Sequence, residues 1–286
     1  LSISDGGILI GAGVSKVYAQ ATMRFNTIGS AGNKYCSIYK NSNIYRYLYR
    51  FAFSNEYIIT LSSKLLYDIN IFNAKKTFVI NNGIKDYSLN YTNLKNENFI
   101  ILYLSHLQIS KGIKDYVFSI SCLIKNCKLN NQKIKGYIIG DEIDITKKYL
   151  NEFIKSNKIE HFITYLGPKY NQEKNEYLKK ASVLVYPTLN DAFPLVLIEA
   201  MQFGIPVIAT REGAIPEIVD DGVTGFLVDK HSPDQIAEKL KILLDDDVLR
   251  NNMGKSARKK YLEKYTIEVF EKNLIDVFQK ISLELK

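Results

Sequence analysis

The chain has 286 residues, of which 46% are hydrophobic and 24% are charged. This apolar share supports a packed core and excludes a disordered chain, and the length fits two domains of ~100–200 residues each. No apolar run approaches the ~18 residues that span a bilayer, and no basic segment followed by an apolar one opens the chain. We therefore expect neither a membrane helix nor a signal peptide. The start at Leu1 rather than at a methionine predicts a fragment.

The charge is unevenly distributed. Lysine and arginine outnumber aspartate and glutamate by 38 to 30, and residues 1–98 alone hold 11 basic against 5 acidic residues. A basic first third can attract an anionic membrane surface or a phosphorylated acceptor. The alternative is that these lysines are merely solvated in an Asn- and Lys-rich chain.

Cysteine and histidine are scarce, with three of each. The sequence contains no CxxC pair and no HExxH motif, and an odd number of cysteines argues against a disulfide framework. We therefore expect no metal site, and a reducing, cytoplasmic compartment.

The first 93 residues predict a partial domain. Helical spacing of apolar residues indicates a helix at Ile44–Phe53. Tyr57–Ser62 and Thr77–Asn81 are predicted strands on either side of a helix at Lys64–Phe72. This is too little for a complete doubly wound domain of about six strands. We assign residues 1–93 to an incomplete N-terminal domain, ended by the polar linker Asn90–Asn98.

From Phe99 onward, short apolar runs alternate with longer helical patterns, which is typical of an α/β fold with a parallel sheet. The predicted strands are Phe99–Ser105, Gly136–Gly140, Phe162–Gly167, Ser182–Tyr186, Val207–Ala209 and Gly225–Val228. The predicted helices are Gly112–Lys125, Ile145–Asn157, Gln172–Lys180, Pro194–Phe203, Ile215–Val219, Pro233–Asp245 and Asp247–Tyr265. Residues 94–265 therefore form a complete, doubly wound C-terminal domain, and an amphipathic helix over Thr266–Leu285 follows.

The segment Tyr186–Thr210 carries the chemistry. It leaves a predicted strand, crosses a loop and enters a helix with Pro194 near its first position. The free amides of a helix that starts beside the carboxyl end of a parallel strand bind anions. Asp191 in the loop and Glu199 in the helix add carboxylates that can accept hydrogen bonds from hydroxyls. Together they predict a site for a phosphorylated sugar or nucleotide, although either carboxylate alone is equally an ordinary loop or helix residue.

Several segments resemble glycosyltransferase family 4. Asp191, the run Ala192–Ile198, and Glu199 with the Gly204–Thr210 stretch behind it are similar to the E-x7-E signature of that family. The resemblance extends over roughly residues 57–265 through six further segments: Val79–Ile84, Ile101–Gly112, Tyr137–Asp141, Tyr165–Gly167, Glu212–Val219 and Asp221–Val228. Members are retaining, nucleotide-sugar-dependent enzymes of the GT-B fold, which consists of two Rossmann-like domains.

The resemblance implies roles for individual residues. Lys111 would neutralise the donor diphosphate, Glu199 would accept hydrogen bonds from the nucleotide ribose, and Asp191 would hold hydroxyls of the donor sugar. The other donor-binding residues implied are His106, Gly140, Gly167, Ala192, Phe193, Pro194 and Leu195, with the amides of Phe193–Leu195 around the phosphates and Gly167 beside the base.

The resemblance also implies partners and a location. A nucleotide sugar would be the donor, and a glycan or lipid-linked molecule of cell-surface polysaccharide synthesis would be the acceptor. Neither a cofactor nor a metal ion is expected, and nucleic acid is not expected as a partner. The enzyme would be cytoplasmic, peripheral at the inner face of the membrane, and the helix in residues 266–286 would cross back to the N-terminal domain.

The sequence departs from the family pattern at two site positions. Asp191 is one methylene shorter than the usual glutamate, which shifts or weakens the sugar contact. His106 replaces an arginine of the phosphate-binding pair, and histidine cannot form the arginine fork. The family's glycine-rich acceptor loop and N-domain histidine are also not identifiable.

These departures leave alternatives open. The main one is a non-catalytic GT-B fragment that binds a nucleotide sugar or a partner without turnover. A GT-B epimerase or phosphorylase is a further candidate, although a phosphorylase normally needs a longer chain. A dinucleotide-dependent oxidoreductase is disfavoured because no strand–GxGxxG–helix unit occurs.

Overall fold

Two units make up the described part of the protein. The computed structural model describes residues 2–4, 7–9, 43, 47, 54–66, 74–88, 98–127 and 134–284. The first unit takes in Leu1–Asn82, Asp191–Phe193 and Glu268–Lys286, and the second takes in Gly83–Asn190 and Pro194–Ile267.

The second unit is built on one sheet of six parallel strands. In chain order these strands are β5 (Phe99–Leu104), β6 (Ile134–Ile139), β7 (Ile163–Tyr165), β8 (Val183–Tyr186), β9 (Val207–Thr210) and β10 (Gly225–Val228). Their order across the sheet is β10-β9-β8-β5-β6-β7, and every neighbouring pair is parallel. The first strand therefore lies in the middle, and the chain adds strands on one side and then on the other.

Buried strands explain why this sheet is covered on both faces. All six residues of β5 are buried, as are all four of β8 and of β9. Continuous apolar runs of this kind occur where helices cover both faces of a parallel sheet. The doubly wound α/β fold predicted from the sequence is confirmed, with all six predicted strands present and their ends within two residues of the predicted ones.

Seven helices connect and follow these strands within the described part of the second unit. They are α1 (Ile113–Cys127), α2 (Lys147–Ser156), α3 (Asn171–Lys180), α4 (Leu195–Gln202), α5 (Ile215–Ile218), α6 (Pro233–Asp245) and α7 (Asp247–Lys264). The buried side of α1, with Tyr116, Val117 and Ile120, packs into the same apolar core as β5 and β6. Among the described residues, no helix is both long and apolar enough to cross a bilayer.

The described part of the first unit contains two small sheets. Strands β1 (Ser2–Ser4) and β2 (Gly7–Leu9) pair antiparallel, and β3 (Tyr57–Thr60) and β4 (Lys76–Val79) pair in parallel. Helix α8 (Ile267–Glu284) belongs to this unit from Glu268 onward. Near its end, the Glu284 carboxylate accepts a hydrogen bond from the Tyr57 hydroxyl at 3.0 Å and pairs with Lys76.

Two predicted helices of the N-terminal region fall largely outside the described residues. Of Ile44–Phe53 only Tyr47 is described, and it is helical. Of Lys64–Phe72 only the beginning is described, where Ser63–Leu65 forms a short 3₁₀ turn. The predicted strands on either side of it are present as β3 and β4.

Residues 83–88 group with the second unit, whereas the sequence placed the domain boundary at residue 93. Hydrogen bonds explain this grouping. The Gln202 side-chain amide donates to the Lys85 carbonyl oxygen at 2.6 Å, and Tyr261 donates to that of Ile84 at 3.0 Å. Arg258 binds the Asp86 carboxylate at 2.5 Å. This short segment is therefore anchored to α4 and α7.

Candidate active site

The candidate site of the second unit lies where the strand order reverses. Strands β5 and β8 are neighbours, with β6 and β7 on one side and β9 and β10 on the other. In open α/β sheets, ligands bind in the crevice outside the carboxyl ends of the strands at such a point. The loops that follow β5 and β8 therefore border the candidate site.

A buried tyrosine of β5 fixes the backbone of the loop that follows this strand. The Tyr103 side chain is fully buried, and its hydroxyl donates to the His106 carbonyl oxygen at 3.1 Å and lies 3.3 Å from that of Lys111. Burial raises the pKa of this hydroxyl, so it remains a donor at any physiological pH. The backbone of the loop that carries His106 and Lys111 is therefore fixed by hydrogen bonds to Tyr103.

The same loop packs directly against the loop after β8. Gly112 has a φ of +72°, and a β-carbon added there would lie 1.9 Å from the Pro187 carbonyl oxygen. The Leu189 amide donates to the Ser110 carbonyl oxygen at 2.8 Å. Only glycine permits both this left-handed conformation and this close backbone approach.

Lys111 reaches across this contact. Its ammonium group donates to the Asn190 carbonyl oxygen at 3.2 Å, which places a positive charge beside the end of the second loop. Asp191, Ala192 and Phe193 come next in the chain and belong to the first unit. Their position relative to Lys111 stays a prediction, as does the role of Asp191 in holding the donor sugar.

Helix α4 begins immediately after that loop. Pro194 is its N-cap, with φ −71° and ψ 113°, and Leu195 is the first helical residue. The first amides of a helix have no intrahelical acceptor, and the helix dipole adds positive potential there. Pro194 has no N–H, so the donors of this turn come from Leu195 and Val196. An anion can bind at this end of α4.

Glu199 lies further along α4 and forms an ion pair that the sequence did not predict. The Lys174 ammonium group on α3 donates to Glu199 Oε1 at 2.6 Å. The two side chains are 25% and 23% exposed, so about three quarters of each is covered. A predicted ribose-binding carboxylate is thus tied to a neighbouring helix.

Gly140 and Gly167 follow β6 and β7, and their loops meet at the edge of the site. The Gly140 amide donates to the Gly167 carbonyl oxygen at 3.3 Å. A β-carbon on Gly140, whose φ is +155°, would lie 1.8 Å from the Ser105 carbonyl oxygen. The ends of β5, β6 and β7 are therefore packed backbone to backbone.

His106 faces an acidic neighbour at this edge. Its Nδ1 lies 3.6 Å from Asp141 Oδ2, and both Asp141 oxygens lie within 2.9 Å of the Tyr170 hydroxyl. This hydrogen bond raises the pKa of Tyr170. The side chains of His106, Asp141 and Tyr170 thus form a polar row that sequence reasoning did not assemble.

The structure therefore gathers His106, Gly140 and Gly167 at one edge of the site. Lys111 and the beginning of α4 lie at the strand-order reversal. Lys174 and Tyr170 were missed because no pattern in the sequence links them to their partners, which lie 25 and 29 residues away. The roles that the resemblance implies for the site residues remain predictions.

Comparison with known structures places this architecture in the GT-B fold class. Sucrose-phosphate synthase of Thermosynechococcus elongatus superposes with a TM-score of 0.72 over 87% of this chain and 66% of its own, at 19% identity. The Anabaena protein HepE, solved in complex with UDP, has a TM-score of 0.71 over 84% of this chain and 69% of its own, at 16% identity. At these identities the likeness concerns the fold.

The sequence comparisons establish the family. Residues 88–260 match the model of the glycosyl transferases group 1, and the chain belongs to this family. An uncharacterized glycosyltransferase of Methanocaldococcus jannaschii is 32% identical over 248 residues, which cover 86% of this chain. The matched region covers 66% of that relative, just under two thirds of its length.

Proposed function

We propose that this chain acts as a retaining glycosyltransferase that moves a sugar from a nucleotide-diphosphate sugar to a glycan or lipid-linked acceptor, in the synthesis of a cell-surface polysaccharide. One observation carries this proposal: Lys111 and the first turn of α4 lie at the carboxyl ends of the adjacent strands β5 and β8. A cation and a helix N-terminus are both suited to binding a diphosphate. The UDP complex of the structural neighbour HepE supports the same class of donor.

In the proposed mechanism, the second unit holds the donor and stabilises its leaving group. Lys111 neutralises charge that develops on the departing diphosphate, and the Leu195 amide donates to the same group. His106 donates a hydrogen bond from the neighbouring loop, while Glu199 accepts hydroxyls of the ribose. Because the diphosphate leaves from the face that the acceptor attacks, the configuration at the sugar carbon is retained.

Asp191 holds hydroxyls of the donor sugar, and a diphosphate oxygen takes the proton of the attacking acceptor hydroxyl. The cations and helix amides stabilise the leaving group, so the proposed reaction requires no metal ion. Within residues 1–98, basic residues outnumber acidic ones, and this excess supports peripheral binding to an anionic membrane surface on the cytoplasmic side.

A panel of nucleotide sugars tests this function by donor hydrolysis and by transfer to added acceptors. Lys111→Ala and Glu199→Ala are expected to abolish turnover with an unchanged circular dichroism spectrum. Glu238→Ala, on the exposed surface of α6 where Glu238 pairs with Lys239, is the matched control and should retain wild-type turnover. Unchanged turnover in both site variants would contradict the proposal. Nucleotide binding without turnover in the wild type would support the non-catalytic alternative. The relatives are named glycosyltransferases, which argues against that alternative.

A further inference from the structure

The ion pair between Lys174 and Glu199 differs from an ion pair formed within the same helix by a second lysine. Lys179 also lies on α3, and it binds Glu176 of that helix at 3.1 Å, with the glutamate 46% exposed. Exposed pairs of that kind contribute little to stability, because water screens both charges. The 2.6 Å contact of Lys174 instead joins α3 to α4, and both of its side chains are largely covered. Short, charge-assisted hydrogen bonds of this kind fix geometry more strongly than neutral ones do.

This contact leaves part of the Glu199 carboxylate available. Among the described residues, the hydrogen bond to this carboxylate comes from Lys174, and it reaches Oε1. An ionised carboxylate has about four lone-pair sites on its two oxygens. Oε2 therefore keeps its accepting capacity, and two neighbouring hydroxyl groups can share the remaining sites.

We propose that Lys174 is a positioning residue that sets the rotamer of Glu199 so that its carboxylate receives the vicinal hydroxyls of a ribose, which makes the site selective for ribonucleotide over 2′-deoxyribonucleotide donors. The inference rests on the proposed function, because it requires a nucleotide at this site. It assigns to α3 a part in specificity although Lys174 itself need not touch the nucleotide.

The physical reason is preorganisation. A glutamate side chain on a helix surface has several rotamers, and selecting one of them on binding costs free energy. Lys174 selects one rotamer before the nucleotide arrives. Without the ammonium group, the carboxylate has to be ordered by the ligand alone, and the advantage of a 2′-hydroxyl over a 2′-hydrogen is lost.

Binding measurements on the full chain test this inference. UDP, GDP and ADP are titrated calorimetrically, and the one that binds best is compared with its 2′-deoxy counterpart. In the wild type we expect the ribonucleotide to bind about tenfold or more tightly than the deoxynucleotide, as for a hydrogen bond to a charged group. Lys174→Met should weaken ribonucleotide binding about tenfold and bring the ratio of the two dissociation constants close to one.

Two further variants separate positioning from a general structural role. Lys174→Arg keeps a cationic donor and should retain most of the discrimination. Lys179→Met makes the same chemical change on the same helix and should leave both dissociation constants unchanged. Circular dichroism and thermal unfolding show whether each variant is folded, and Lys174→Gln, which also removes the ammonium charge, takes the place of Lys174→Met should the latter fail to fold.

The outcomes distinguish this inference from the proposed function. If the wild type discriminates and Lys174→Met discriminates equally, the inference is overturned and the proposed function stands. An equal weakening of both nucleotides in Lys174→Met, with the ratio preserved, also overturns it, because that result indicates a merely structural role. If the wild type binds a nucleotide without preferring ribose, the inference fails as well. If none of the three nucleotides binds to the wild type, the proposed function falls, and this inference with it.

Discussion

Replacing Gly112 with alanine is expected to destabilise the second unit and to disturb the loop that carries Lys111. The cost has two parts. A non-glycine residue at φ +72° costs about 1–2 kcal/mol. The added β-carbon would also lie 1.9 Å from the Pro187 carbonyl oxygen, which no side-chain rotation can relieve because the neighbour is backbone. Forcing extra atoms into a packed region costs about 1–3 kcal/mol more, so the total loss is about 2–5 kcal/mol.

Comparison with a second glycine separates the cost of close packing from the cost of the backbone conformation. Gly222 has a φ of +77°, and a β-carbon there meets no atom within 4 Å. Gly222→Ala should therefore lose only the conformational part, about 1–2 kcal/mol. Urea unfolding of the wild type and both variants, followed by circular dichroism, measures the difference. Nucleotide titration of the folded variants then shows whether the Lys111 loop has moved. Equal losses of stability in Gly112→Ala and Gly222→Ala would refute this reasoning.

Further predictions concern hydrogen bonds and ion pairs that differ in burial. Burial raises the pKa of Asp86, but the hydrogen bonds it accepts, above all from Arg258, outweigh burial and lower that pKa overall. Asp86→Asn should therefore lower the free energy of unfolding by about 1.5–3 kcal/mol at pH 7. Urea unfolding at several pH values should show this difference from the wild type shrinking below about pH 4, because the carboxylate of the wild type is then protonated. Asp247 forms an Arg–Asp pair in which the aspartate is 75% exposed, and Asp247→Asn should lower the free energy of unfolding by less than about 1 kcal/mol at all of these pH values. A loss as large as that of Asp86→Asn would contradict the role given to burial. Tyr103→Phe and Tyr116→Phe should each lower the free energy of unfolding by about 1 kcal/mol. In nucleotide titrations only Tyr103→Phe should weaken binding, because the Tyr103 hydroxyl donates to the site loop whereas the Tyr116 hydroxyl donates to Ile101 within the sheet.

Much of the second unit could be predicted because its signals are local. The run Phe99–Leu104 is apolar throughout, as a strand covered on both faces must be, and it forms β5. The start of α4 after Pro194 and its end before Gly204 follow from the conformational limits of proline and glycine. These effects act within a few residues, so the sequence alone indicates them.

The residues around the site were predictable only where they belong to a continuous motif. Such motifs predict Lys111 and Glu199 as site residues, but no motif predicts the partner of Glu199. Lys174 lies in a polar helix in which several lysines look alike, and only the packing of α3 beside α4 selects it. The contact of His106 with Asp141 likewise depends on how the ends of β5 and β6 align.

The length and the charge of the chain predicted two domains with a basic first one, and its apolar periodicity determined a doubly wound parallel sheet. The tertiary structure decided which side chains meet at the strand-order reversal and where the two units divide. Residues 83–88, for example, belong to the second unit because Gln202, Arg258 and Tyr261 bind them there. The physical reason is range: propensity and periodicity act between near neighbours in sequence. An ion pair such as that of Lys174 and Glu199 exists only once two separate helices have packed together.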